Sequence, residues 1–122
     1  MTLPHTGWTP LLQAEPYDVA WRGTVFRCKA KWPYEAMVDF LLVHTHDAES
    51  EFAMVVATGA KAGILFQVLP PECRASGDRI AVSMGWLQQY WTRWIYPDCA
   101  PDDVVYAQCY PEPVLNEPTG PA

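Results

Sequence analysis

SMGWLQQYWTRWIYP, residues 83–97, sets three tryptophans and a tyrosine within nine positions and ends on a second tyrosine and a proline. An α-helix turns about 100° per residue, so with Trp86 at zero, Leu87, Tyr90, Trp91, Trp94 and Ile95 fall within about 0–180°. Gln88, Gln89, Thr92 and Arg93 occupy about 200–340°. The division predicts an amphipathic helix capped by Ser83 and stopped by Pro97, its aromatic side lying on a sheet. Trp86 and Ile95 mark the edges of the apolar stripe. Tyr96 follows the helix, where its hydroxyl can reach solvent or a backbone group. Arg93, Gln88 and Gln89 face outward, free to meet a partner.

Strands surround this helix in the sequence. From Tyr17 to Lys31 the pattern is strand-like: Thr24, Phe26, Cys28 and Ala30 alternate with Val25, Arg27, Lys29 and Lys31, predicting a half-exposed sheet surface. AMVDFLLVHT, residues 36–45, is short and rich in Val and Phe, which favours a strand over a helix. FAMVVAT (52–58) and ILFQVL (64–69) read as a hairpin around GAKAG, where Gly59 and Gly63 can take positive φ. VVYAQCY (104–110) is a final strand. Residues 22–31 and 104–110 are candidate sheet edges, with Lys29 and Lys31 guarding the first against pairing. Residues 1–16 read as an irregular arm, 17–110 as one domain, and 111–122 as a proline-rich tail. The order predicts a small α+β domain with one main helix on an antiparallel sheet.

At 122 residues and 50% hydrophobic content, one domain can bury a real core. Fourteen acidic residues against 8 basic ones give a formal charge of -6, and no Lys or Arg follows Arg93. Without a basic cluster, nucleic acid and anionic membrane are disfavoured as partners, and a basic protein surface is favoured. MTLPHTGW lacks the pattern of a signal peptide, and no apolar run reaches the length of a membrane span. Cys28, Cys73, Cys99 and Cys109 form no CxxC pair. They read as reduced thiols of a cytoplasmic protein, with a Cys99–Cys109 bridge as the rival.

Catalytic patterns are weak. His44-Thr-His46-Asp47 puts two histidines on one face of a strand, but no third metal ligand stands at a firm spacing, even with Asp39 or Glu49 considered. Ser50, Ser76 and Ser83 lack a nucleophile-elbow context, and Glu49/Glu51 and Asp102/Asp103 sit in polar connections. GAKAG is too short for a phosphate-binding loop. No catalytic residue, metal or cofactor is assigned.

MVDFLLV, EFAMVVATGAKAGILFQVLPPE and WLQQYWTRWIYPDC, in that order, resemble the immunity proteins encoded beside bacterial polymorphic toxins, in particular the immunity protein 45 family. The resemblance spans about residues 17–110. It implies a non-enzymatic α+β protein that binds a co-encoded toxin, delivered by contact-dependent or type VI secretion, and inhibits it one to one. Ala60 departs from the pattern, which has an aromatic there, and the segment from Pro111 onward lies beyond it.

With that function, Tyr96, Asp98, Asp102, Asp103 and Tyr106 are one candidate partner-binding group, with Arg93 on the helix beside them. Lys61 at the hairpin tip is another. Gly59, Gly63, Trp86, Leu87, Tyr90, Trp91, Trp94 and Ile95 carry structural roles. The protein is expected to be a monomer on its own. An adaptor or chaperone of a secreted effector, or a small enzyme reversing toxin damage, remain the alternative functions.

Overall fold

Strict alternation along three central strands builds the core. Phe26 and Cys28, then Val38, Phe40 and Leu42, then Phe52, Met54 and Val56 point to one side of a sheet and are buried there. The structure is a computed structural model that describes residues 7–110. Its strands are β1 (Thr9–Pro10), β2 (Val19–Ala20), β3 (Val25–Lys29), β4 (Met37–His44), β5 (Phe52–Val56), β6 (Leu65–Val68), β7 (Val82–Ser83) and β8 (Val105–Ala107). Six form an antiparallel sheet in the order β1-β8-β3-β4-β5-β6, while β2 and β7 pair separately. The fold is α+β, with one main helical segment on a face of the larger sheet.

That segment follows the sequence reading for two turns and then departs from it. Helix α1 spans Met84–Tyr90, and the Ser83 hydroxyl accepts the Trp86 N–H at 3.1 Å, a true N-cap. Trp91–Ile95 then continues as a π-turn, closed by Tyr96 N–H donating to Trp91 O. A π-turn rotates each residue less than an α-turn does. Ile95 therefore swings from the predicted edge of the stripe into the core, 3% exposed, while Trp94 is only half-buried. Trp91 is fully buried between Phe26 and Phe40, with ring centroids 5.6 and 6.3 Å away.

Three other expectations are corrected. Gln88 does not face a partner: its side-chain amide donates to Leu11 O and Ala14 O at 2.9 and 2.7 Å, clamping the N-terminal arm to the helix. The described part of that arm is correspondingly ordered, with β1 on β8 and a 3₁₀ turn at Leu11–Gln13. The segments 22–31 and 104–110 are not sheet edges, because β8 lies between β1 and β3, and β3 between β8 and β4. The long open edge is β6, whose pairing with β5 is interrupted by a bulge at Met54/Val55. Residues 1–6 and 111–122, including the predicted proline-rich tail, lie outside the described residues.

Candidate functional site

The residues after the π-turn are laid against one end of the sheet. Tyr96 is buried, its ring 5.8 Å from Phe40, and its hydroxyl accepts the Lys31 N–H at 3.0 Å. The backbone group foreseen for this hydroxyl is thus Lys31, and the ring belongs to the core instead of the surface. Pro97 and Asp98 return to solvent, and a 3₁₀ turn at Pro101–Asp103 holds Asp102 and Asp103 exposed. Tyr106, on β8, is half-buried beside Phe26, and burial raises its phenol above the ordinary value. Arg93 is exposed on the π-turn. Asp98, Asp102 and Asp103 thus lie exposed on the chain that follows the helical segment carrying Arg93, while Tyr96 packs against Phe40 and Tyr106 against Phe26.

Lys61 belongs to a different element. The β5–β6 connection makes a 3₁₀ turn at Gly59–Lys61, and both Gly59 and Gly63 adopt positive φ, 72° and 95°. Glu35, from the β3–β4 connection, reaches across so that its carboxylate accepts the Ala60 N–H at 3.2 Å. Its own backbone N–H, that of Ala60 and the nearby Lys61 charge lower the Glu35 pKa. A Cβ on Gly59 would lie 1.9 Å from Glu35 Oε1, whereas one on Gly63 would meet nothing within 4 Å.

On the outer face of the sheet, Arg27 of β3 and Asp39 of β4 form a two-pronged ion pair, at 2.8 Å from Nε to Oδ1 and 3.0 Å from Nη2 to Oδ2. Tyr110 donates its hydroxyl to Asp39 Oδ2 at 2.8 Å, and the Trp8 ring lies 4.3 Å from the Arg27 guanidinium. The two ends of the described chain are latched over this pair. No sequence pattern announced it, because Asp39 reads as an interruption of an apolar run until its strand partner is known.

A cavity of about 560 Å³ opens at the other end of the sheet, lined by Trp21, Arg22, His44, His46 and Ile80. The His44 and His46 rings meet edge to face, centroids 4.8 Å apart, and His44 Nδ1 accepts the His46 N–H. Glu51 lies beyond, 3.6 Å from His44 Nε2 and tied to Arg74 at 2.6 Å. Among the described residues no group of three or more His, Cys, Asp or Glu is disposed to hold a metal. No helix there is long and apolar enough to cross a membrane. All four cysteines are free; Cys28, Cys73 and Cys99 are buried and Cys109 is exposed.

The model of the family described as immunity protein 45 matches residues 12–106 of this chain, well over half of its length. The chain belongs to that family of immunity proteins, a membership that suggests a non-catalytic, toxin-neutralising role and a cognate toxin as partner. No curated protein and no solved structure matches it significantly.

Proposed function

We propose that this protein binds a toxin encoded beside it and neutralises it in the cytoplasm by occupying its surface one to one, without chemical turnover. The observation that carries this reading is the family match across residues 12–106. The architecture suits the task. A six-stranded sheet backed by buried Trp91, Leu87 and Ile95 is a pre-ordered platform, so little ordering entropy is lost when it docks. Asp98, Asp102 and Asp103 stand exposed on one short stretch of chain, and with a formal charge of -6 on the whole chain they supply an acidic rim for a basic cleft. Lys61 on the β5–β6 loop is a second outlying contact. Contact-dependent or type VI delivery of the toxin belongs to the same proposal.

Co-expression with the toxin from the neighbouring gene tests it. Rescued growth, together with a one-to-one complex on size exclusion, is the expected result. Rescue without a complex would mean an enzyme that reverses the damage. A complex in which the toxin stays active would mean an adaptor.

A further inference from the structure

The cavity at the far end of the sheet is built differently from the acidic turn. Its two apolar flanks, Trp21 and Ile80, are 47% and 52% exposed, although each is large enough to be buried to advantage. Neither is mobile by construction. Trp21 opens a turn in which its carbonyl accepts both the Thr24 N–H and, at 2.7 Å, the Thr24 hydroxyl. Thr24 is fully buried, Gly23 takes a φ of 93°, and the turn is stitched to β4 through Gly23 N–H to Leu42 O and Leu42 N–H to Thr24 O. Ile80 is held by its neighbours Ala81 and Val82: Ala81 O accepts the Ala75 N–H, and Val82 pairs with Ala20. An indole and an aliphatic chain thus face solvent from backbone that is held in place, the arrangement of a binding anchor.

In a chain of formal charge -6, this cavity is lined by a basic residue, Arg22. Arg22 makes no ion pair or side-chain hydrogen bond among the described residues. Among the described residues no carboxylate lines it. Glu51 is bound by Arg74, and Asp47 Oδ1 accepts the Glu49 N–H at 2.8 Å. The imidazole of His46 adds a polar group at the rim. An unpaired guanidinium between apolar walls fits a carboxylate carried beside an apolar side chain.

Strand register places this cavity and the acidic turn at opposite ends of the sheet. Lys29 pairs with Met37 at one end, where Lys31 holds Tyr96. Gly23 bonds Leu42 at the other, two residues from His44. Resting on the toxin-binding reading above, we infer that the Trp21–Arg22–Ile80 cavity is a second docking point for the toxin. It receives an acidic side chain flanked by an apolar one, while the acidic turn meets a basic region. Eight residues of β4 span about 26 Å, which a standard interface of roughly 800 Å² per partner can bridge. Contacts of opposite sign at the two ends fix the toxin's orientation.

The test is calorimetric titration of the neighbouring gene's toxin domain, carrying an inactivating substitution, into wild type, Trp21→Ala, Arg22→Glu and Ile80→Ser. Each variant is first checked for an unchanged melting temperature. The inference expects each to raise Kd by about tenfold or more, with Arg22→Glu the largest effect. It expects Arg22→Met to flatten the salt dependence of binding. If wild type binds and Arg22→Glu leaves Kd unchanged or tightens it, the cavity is not the docking point, while the proposed function stands. If wild type itself does not bind, the proposed function falls and this inference with it. Saturable binding of inorganic phosphate, lost in Arg22→Glu with toxin affinity intact, would make the cavity a small-anion site and overturn it too.

Discussion

Arg27 and Asp39 face each other across β3 and β4 in a two-pronged ion pair whose members differ sharply in exposure: the Arg27 side chain is 33% exposed and that of Asp39 only 1%. The difference decides which partner the fold needs more. Removing Arg27 strands a buried carboxylate with, among the described residues, only the Tyr110 hydroxyl as a side-chain donor, whereas removing Asp39 leaves a guanidinium that water can reach. Arg27→Ala should therefore destabilise the protein more than Asp39→Ala, approaching the roughly 3–5 kcal/mol of a broken buried pair. Urea unfolding of both single variants and the double variant checks the order and isolates the coupling. Equal losses would show that the pair is solvated on both sides.

Trp91 is the centre of the core, and its buried indole N–H has no hydrogen-bond partner among the described residues. Trp91→Ala should destabilise by about 3–5 kcal/mol through the cavity it leaves. Trp91→Phe should lose much less, because it also removes the unpaired donor, whose burial costs about 1–3 kcal/mol. Guanidinium denaturation midpoints separate the two, and a Phe variant as unstable as the Ala variant would contradict the burial argument.

At the β5–β6 loop, Gly63→Ala forces an alanine to a φ of 95° with open space around it, so its penalty is backbone strain alone, about 1–2 kcal/mol. Gly59→Ala adds a collision with the Glu35 carboxylate, a flexible end that can move only by giving up the Ala60 N–H. Gly59→Ala should be the worse of the two in thermal melts, and Glu35→Ala should narrow the gap. Lys61→Ala should leave the melting temperature in place, so that any loss of toxin affinity reports on contact.

Burial raises the Cys73 thiol from the ordinary 9.0 to about 12, with the Glu51 and Glu72 carboxylates adding to it. Burial also raises Cys28 and Tyr110, the latter helped by its bond to Asp39. A raised acid keeps its proton in the folded chain while the unfolded chain releases it. The stability it contributes is complete below about pH 9 and is lost as pH rises towards 12. Unfolding free energy should therefore fall steadily above pH 9, and Cys73→Ala should make that fall shallower. A flat profile from pH 8 to pH 11 would show that these groups are not held protonated by the fold.

Much of the fold was legible in local pattern. The tryptophans at 86, 91 and 94 gave the helix and its face, and Ser83 gave its start. The Val and Phe content of MVDFLLV correctly favoured β4, and the two glycines of GAKAG placed the β5–β6 hairpin. The π-turn was not legible, since five residues cannot distinguish one extra residue per turn from an ordinary amphipathic stripe. Strand order was hidden for a different reason: β8 enters between β1 and β3, and nothing in a strand's own alternation names its neighbours. The acidic segment could be seen because Asp98, Asp102 and Asp103 lie close together in the chain, the last two adjacent. Trp21, His44 and Ile80 converge only through β2–β7 pairing and the end of β4, so their cavity had no signature in the chain.

Titration of active toxin with increasing amounts of this protein, reading toxin activity at each step, distinguishes occupancy from chemistry. Stoichiometric occlusion requires activity to fall linearly and vanish at one equivalent, whatever the incubation time. Loss of toxin activity with a small fraction of an equivalent, growing with time, would mean turnover and would contradict it.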